Sequence, residues 1–175
     1  MLDRRHEPDI IHHIDTDERN KMIQRIYFDM DGTIADYEKR FVEIWGADTY
    51  KKFSKMSKEE KRPYKEAMAK QNFYEELDPM PMLTRMETLF RHGVDVAILT
   101  SVGKVESRLI AQQKRNWLEA KCSKALYEHM MDGRFFYVKS SSEKAEFANQ
   151  YVALVDDREK AWRPFLEAGG HVVVV

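Results

Sequence analysis

The sequence lacks the features that mark secreted or membrane-spanning proteins. Cys122 is the only cysteine among 175 residues. The chain therefore cannot form an internal disulfide bond, which favours a reducing compartment such as the cytosol. No apolar run is long enough to cross a bilayer, and residues 1–22 have no apolar core of the kind that a signal peptide carries. We therefore expect a cytoplasmic protein without a membrane partner.

The sequence also lacks an excess of charge of one sign. Its 29 lysines and arginines face 30 aspartates and glutamates, which gives a formal net charge of −1. Such a chain has no global basic field, so we do not expect it to bind duplex nucleic acid. No internal repeat is evident, and the length suits one domain with a small insert. We interpret residues 1–22 as a polar N-terminal arm, although three histidines there (His6, His12 and His13) also suggest metal binding.

The strongest local signal is the stretch Ile26–Tyr37, IYFDMDGTIADY. Its apolar start and following acids predict a buried strand that opens into a site at its C-terminal end. Alternation along a strand sends Asp29 and Asp31 to the same side, where two carboxylates repel each other unless a cation or a proton intervenes. A calcium loop also begins in this way, but an EF-hand needs glutamate at the twelfth position, where this chain has Arg40.

Strand and helix patterns alternate along the chain. Strands are predicted at 26–28, 94–99, 135–138, 151–155 and 172–175, and helices at 37–45, 58–71, 82–92, from 103 onward, from 140 and up to 168. This alternation predicts an α/β fold, a parallel sheet flanked by helices. The segment between the first strand and the helix at 82 is too long for an ordinary crossover. We therefore predict a core formed by 23–36 and 81–175, with 37–80 inserted after the first strand as a small helical cap.

Four predicted strands are followed by polar groups that suit phosphate chemistry. They are Asp29 with Asp31, Thr100 with Ser101, Lys139 or Lys144, and Asp156 with Asp157. Because a parallel sheet brings these strand ends to one edge, carboxylates there could hold Mg²⁺ while a hydroxyl and a lysine take phosphate oxygens. One further carboxylate could attack phosphorus, and another could move a proton. Each piece alone also has a simpler interpretation, as a helix cap, a surface lysine or a turn.

In order and context, these groups resemble the four motifs of the haloacid dehalogenase (HAD) superfamily of phosphohydrolases. The resemblance implies a Rossmann-like fold, Asp29 as nucleophile and Asp31 as general acid and base. It also implies catalytic roles for Thr100 and Lys144, with Lys139 as the alternative lysine. The implied Mg²⁺ ligands are Asp29, Asp31, Asp156 and Asp157. Because dehalogenase members lack the acid that stands here as Asp31, the chain resembles the phosphatases of the superfamily.

Four segments are similar to the 5′(3′)-deoxyribonucleotidase family: DMDGTIADYE, NFYEELDPMP, LTSVGK and VDDR. This similarity implies that Ser101, Lys104 and Arg158 contact substrate, and that Tyr37, Phe73 and Tyr74 line a nucleoside pocket. For Phe73 and Tyr74, packing of the cap against the core is an equally good interpretation. The segment KSSSEKAEF departs from that family's arginine-aspartate-lysine order, which leaves the base preference open.

Together, these patterns predict a Mg²⁺-dependent phosphomonoesterase that hydrolyses nucleoside monophosphates through an aspartyl-phosphate intermediate. One alternative is a phosphatase of another small phosphate ester or of a polynucleotide end. A second alternative, of a different class, is a non-catalytic HAD-like module that binds a nucleotide or a protein. The expected partner is a small phosphate ester, and the sequence leaves a homodimer open.

Overall fold

Five parallel strands form the sheet at the centre of the computed structural model, which describes residues 22–175. The strand order is β3-β2-β1-β4-β5, and this parallel α/β architecture confirms the predicted fold class. The strands are β1 (Arg25–Phe28), β2 (Val96–Ser101), β3 (Phe135–Val138), β4 (Val152–Asp156) and β5 (His171–Val174). The middle strands are buried and apolar, as expected of a sheet covered on both faces.

The register of the sheet determines which strand ends meet. In the pairing of β1 with its two neighbours, Phe28 lies opposite Ile98 of β2 and Val155 of β4. The backbone N–H of Asp29 then donates to the carbonyl of Val155, at 2.9 Å. The chain order reverses between β1 and β4, and ligands of open α/β sheets bind at such a switch point, beyond the carboxyl ends of the strands.

Seven α-helices and two 3₁₀ helices surround the sheet in the described part of the chain. The α-helices are α1 (Tyr37–Trp45), α2 (Ala47–Phe53), α3 (Lys58–Lys70), α4 (Pro81–Arg91), α5 (Ser107–Lys121), α6 (Lys124–Met131) and α7 (Glu159–Glu167). The 3₁₀ helices are Phe73–Glu76 and Ser141–Phe147. The capping box predicted at the start of α3 is present, with Ser57 and Glu60 each accepting the other's backbone N–H. No helix in the range 22–175 combines the length and the apolar character that crossing a membrane requires.

The segment predicted as the cap contains α1, α2, α3 and the first 3₁₀ helix. The two ends of this segment lie next to each other. The backbone N–H of Asp36 donates to the carbonyl of Asp78, and the N–H of Met80 donates to the carbonyl of Ile34. Helix α5 of the core then supports the cap. Trp117 donates its indole N–H to the carbonyl of Leu77 at 2.7 Å, and further side chains of α5 bind other cap carbonyls and carboxylates.

Several elements differ from the prediction. Strand β2 begins later than expected and runs through Ser101, so the hydroxyls of Thr100 and Ser101 belong to the strand itself. The long helix predicted from residue 103 is divided into α5 and α6, because the Ser123 hydroxyl caps a new helix by accepting the N–H of Leu126. Helix α2 was not predicted, since its sequence is dominated by polar residues. Residues 1–21 of the predicted N-terminal arm, with their histidines, lie outside the described residues.

Candidate active site

The ends of β1, β2 and β4 enclose a small cavity of about 20 Å³. The side chains around it come from these strand ends and from the second 3₁₀ helix. They are Asp29, Asp31, Ser101, Ser141, Lys144, Asp156 and Arg158. The structure therefore brings together six residues that the sequence analysis had singled out. Ser141 was not among them, because a serine in a polar loop carries no distinctive signal.

Lys144 joins the two buried carboxylates of the cavity. Its Nζ lies 2.7 Å from Oδ1 of Asp29 and 2.6 Å from Oδ2 of Asp156, and only 1% of the residue is exposed. Burial alone would raise the pKa of Asp29, but the charge of Lys144, followed by that of Lys114, outweighs this and holds the pKa below its usual range. Asp29 is therefore ionised. Lys139, the alternative lysine, is exposed, and its backbone N–H binds Glu143.

Asp156 and Asp157 bring further negative charge to the same point. One carboxylate oxygen from each of Asp29, Asp156 and Asp157 lies within 4.8 Å of the other two. Loss of water around its carboxylate, and then repulsion from Asp29, raise the pKa of Asp157 to about 6, although the residue lies at the open edge of the site. The same two causes raise the pKa of Asp156. Hard oxygen donors with unbalanced negative charge fit a divalent cation such as Mg²⁺.

Gly32 makes the close approach of Asp157 to the first strand loop possible. A Cβ atom at this position would lie 2.4 Å from Oδ2 of Asp157, and the backbone has a φ of +82°. Residues with side chains rarely adopt this conformation. The glycine after the two aspartates of the motif therefore creates the space in which the carboxylate of Asp157 lies beside the loop.

A second buried lysine, Lys114 of α5, contacts Asp31. Its Nζ lies 2.8 Å from Oδ2 of Asp31, 2.7 Å from Oγ1 of Thr100 and 3.3 Å from the carbonyl oxygen of Ser101. The sequence analysis did not identify Lys114. A signal was present, because Lys114 lies four residues after Ile110 and three before Trp117, on the buried face of the helix.

The remaining predicted substrate-binding polar residues lie in two places. Ser101 and Arg158 line the small cavity. Lys104 is exposed and lies along a separate open cleft of about 490 Å³ between α3 and the loop after β2. Lys58, Arg62 and three glutamates also line this cleft.

The structure places the three predicted pocket aromatics inside the cap. Tyr37, Phe73 and Tyr74 are buried, and their rings pack against one another with centroids 5.2–6.3 Å apart. Both tyrosine hydroxyls point to Sδ of Met68, at 3.6 and 3.7 Å. None of the three lines either of the two cavities described above. Their positions agree with the interpretation that they pack the cap against the core.

Comparison with known proteins relates the structure to HAD-like hydrolases. No protein-family model and no curated protein matches the sequence. A haloacid dehalogenase-like hydrolase from Streptococcus pneumoniae matches with a TM-score of 0.60 at 14% identity, over 87% of this chain and 84% of that one. A second, from Xanthomonas campestris, matches with a TM-score of 0.56 at 15% identity, over 89% and 83%.

A third match, a HAD family hydrolase from Deinococcus radiodurans with bound phosphate and sodium, has a TM-score of 0.55 at 13% identity. It covers 87% of this chain and 80% of the other. At such low identity, these likenesses show a shared fold and leave the chemistry to be argued from the site.

Proposed function

We propose that the protein is a Mg²⁺-dependent phosphomonoesterase of the HAD type that forms an aspartyl-phosphate on Asp29. The observation that carries the proposal is the environment of Asp29. It is a buried, ionised carboxylate at the end of the central strand, bound to Lys144. Asp31 and Asp156 line the same cavity. This arrangement combines a nucleophile, a proton-transfer group and a cation site in one small space.

The carboxylates of Asp29, Asp156 and Asp157, with the backbone carbonyl of Asp31 as a further proposed ligand, would hold the Mg²⁺ ion. When bound, the ion would neutralise charge on the oxygens of the transferred phosphoryl group. The donor set fits, because all the ligands are oxygen atoms and because oxygens of three carboxylates lie within 4.8 Å of one another, where they repel unless a cation intervenes.

In the first step, a carboxylate oxygen of Asp29 forms a bond to phosphorus as the bond between phosphorus and the ester oxygen breaks. Asp31 in its acid form donates its proton to that departing oxygen, so an alcohol leaves. Lys144 stays bound to the other groups of the site and carries positive charge next to the developing negative charge.

In the second step, water attacks phosphorus of the aspartyl-phosphate and gives its proton to the Asp31 carboxylate. The bond between phosphorus and Asp29 breaks, which releases inorganic phosphate and restores both aspartates. The hydroxyl of Ser101 and the guanidinium of Arg158, which line the cavity, are the groups proposed to hold the phosphate oxygens during both steps. Thr100, the other predicted hydroxyl, is fully buried, binds Lys114 and does not line the cavity.

The narrower proposal for the substrate is a nucleoside monophosphate. The support for it is the similarity of the four sequence segments described above. Tyr37, Phe73 and Tyr74 could stack on a base only if the cap moves, because all three are buried within it.

The experiment is a phosphate-release screen at neutral pH with Mg²⁺. Its substrates are 5′- and 3′-nucleoside monophosphates, sugar phosphates, a phosphorylated oligonucleotide and p-nitrophenyl phosphate. We expect release that stops after metal stripping and that Asp29→Asn abolishes. Highest kcat/KM on nucleotides would support the narrower proposal, and highest kcat/KM on another ester would replace it. No release from any ester by a folded, Mg²⁺-loaded protein would contradict the phosphatase and favour a non-catalytic binding module.

A further inference from the structure

Lys114 has no role in the chemistry proposed above, although it is almost fully buried beside Asp31, the residue proposed as general acid and base. It is 1% exposed and reaches the site from helix α5. Burying an ammonium group is costly unless hydrogen-bond partners and opposite charge compensate for the lost water. A lysine that serves only to fill space would be replaced at lower cost by an apolar side chain of similar length.

The contacts of Lys114 use its whole hydrogen-bonding capacity. The ammonium has three protons, and three oxygens lie within reach: Oδ2 of Asp31 at 2.8 Å, Oγ1 of Thr100 at 2.7 Å and the carbonyl of Ser101 at 3.3 Å. The last two belong to β2, whereas Asp31 belongs to the loop after β1. Lys114 therefore fixes the Asp31 side chain relative to a rigid strand.

The two oxygens of Asp31 are in different situations. Oδ2 binds Lys114, whereas Oδ1 is buried and has no hydrogen-bond partner in the part of the chain that the structure describes. An unsatisfied buried oxygen costs free energy, so an unpaired Oδ1 in a cavity-lining residue indicates a partner that arrives from outside the protein. A departing ester oxygen and an attacking water are partners of this kind.

Thr100 is oriented by the same lysine. A hydroxyl that accepts a hydrogen bond from an ammonium keeps its own proton free for another acceptor. Thr100 is fully buried and is not among the residues that line the cavity. Its hydroxyl therefore acts in this inference as an anchor on β2 that fixes the ammonium group of Lys114.

From these contacts we infer that Lys114 is a positioning residue: it holds Asp31 through Oδ2 so that Oδ1 faces the ester oxygen and exchanges the proton. The inference rests on the proposed phosphatase function. During the step, the proton moves from Oδ1 of Asp31 to the ester oxygen as the bond to phosphorus breaks. Lys114 keeps all of its protons.

The test compares two substrates that differ in their need for an acid. The alkoxide that would leave from the best aliphatic ester of the screen is a poor leaving group, so its oxygen needs a proton. The p-nitrophenolate of p-nitrophenyl phosphate leaves readily without one. Because kcat/KM reports only the steps up to bond cleavage when cleavage is irreversible, it isolates the role of Asp31 as an acid from its later role as a base.

We expect Lys114→Met to lower kcat/KM for the aliphatic ester by about 10²-fold or more, since positioned acids contribute factors of about 10²–10⁴. For p-nitrophenyl phosphate, the same variant should lose less than about tenfold. Asp31→Asn should give the same split. The matched control is Lys121→Met on the same helix, where the lysine is exposed, and it should leave both substrates unchanged.

A double variant keeps the test decisive if Lys114→Met alone does not fold, because Asp31→Asn together with Lys114→Met removes both charges of the pair. If Lys114 acts through Asp31, the double variant should be no slower on the aliphatic ester than Asp31→Asn alone. A further loss of about 10²-fold in that background, or a parallel loss on both substrates from Lys114→Met, would overturn the inference. An inactive wild-type protein would instead contradict the proposed function, so the two failures are distinguishable.

Discussion

The two ends of the parallel strands, called here the amino edge and the carboxyl edge, differ in how the charge of their carboxylates is balanced. At the amino ends of the strands, a single carboxylate, Asp95, lies between two arginines. Arg25 approaches one of its oxygens at 2.8 Å and Arg134 approaches the other at 2.6 Å, while His129 lies 3.5 Å away. Loss of water alone would raise the pKa of Asp95, but hydrogen bonds from Arg134 and Arg25 outweigh this and lower it. This edge is electrostatically satisfied.

At the carboxyl ends of the strands, the carboxylates carry more negative charge than the nearby cationic side chains offset. Lys144 binds Asp29 and Asp156, whereas Asp157 forms no salt bridge with any residue in the described range 22–175. The pKa of Asp157 is accordingly raised to about 6, first by loss of water and then by the charge of Asp29. The amino edge is thus neutralised by the protein's own side chains, whereas the carboxyl edge keeps a charge imbalance that a bound cation would relieve in the proposed function.

The largest expected effect separates function from stability at the carboxyl edge. Asp29→Asn should reduce turnover by several orders of magnitude, since it removes the attacking oxygen. The fold should persist, because the amide occupies the same space. Steady-state kinetics and thermal melting measure the two effects. Retention of more than about a tenth of wild-type turnover would exclude Asp29 as the nucleophile.

Removal of the positive charge of Lys144 at the same edge should instead destabilise the protein. Lys144→Met leaves Asp29 and Asp156 buried without their partner, and breaking a buried pair costs about 3–5 kcal/mol. Urea denaturation measures this loss of unfolding free energy. The control is Lys139→Met, which replaces an exposed lysine five residues away and should change stability by less than about 0.5 kcal/mol. Equal effects of the two substitutions would show that Lys144 is not the structural partner of the carboxylates.

Much of this arrangement could be predicted because its signals are local. A short apolar run that ends in Asp29 and Asp31, and another that ends in Asp156 and Asp157, identify strand ends. The rule that parallel strands share a carboxyl edge then places those ends together. Lys144 was harder to place, since Lys139 follows its strand more directly. The fold settles which lysine enters the cavity, although the catalytic role of each residue stays a prediction.

Other features depend on tertiary packing and could not be derived from local patterns. Lys114 reaches the cavity from the middle of a helix, so only the orientation of α5 over the sheet brings it to Asp31. The similarity to the deoxyribonucleotidases implied that aromatic residues between 37 and 80 line a nucleoside pocket, yet an aromatic cluster that only packs this segment would have the same composition. Whether Tyr37 and Phe73 face a ligand or each other is decided by how the cap folds.

A substitution at the amino edge should have a smaller effect, and it should change the free energy of unfolding without changing activity. Asp95→Asn removes a carboxylate from two arginines and should cost about 1–2 kcal/mol at pH 7, a value kept low because the site is partly exposed. Since folding lowers the pKa of Asp95, its contribution is present above the unfolded-state pKa of about 4 and is lost as the pH falls through the folded-state value.

Chemical denaturation at pH 7 and pH 3 measures this dependence. The difference between wild type and Asp95→Asn should shrink at the lower pH, while kcat should stay unchanged at pH 7. A difference in stability that is equal at both values of pH would show that the charge of Asp95 contributes nothing, and a large fall in kcat would contradict the separation of the two edges.

The smallest expected effect has the opposite sign. Asp157→Asn removes repulsion from Asp29 and Asp156, so the metal-free variant should melt slightly higher than the metal-free wild type. Folding raises the pKa of Asp157 to about 6, so the wild-type carboxylate destabilises the protein increasingly as the pH rises from the unfolded-state pKa of about 4 to that value, and fully above it. The gain should therefore be present at pH 8 and absent at pH 4. A lower melting temperature at pH 8 would show that Asp157 supports the fold.

Calorimetric titration of Mg²⁺ into metal-free wild type and Asp157→Asn at pH 7 measures whether the excess negative charge of the carboxyl edge binds a divalent cation. We expect one Mg²⁺ site in the wild-type protein and an affinity at least about tenfold weaker, a difference of about 1.4 kcal/mol, in the variant. Asp95→Asn, which changes the other edge, should bind as wild type does. No Mg²⁺ binding by the folded wild-type protein, or equal binding by Asp157→Asn, would contradict the claim.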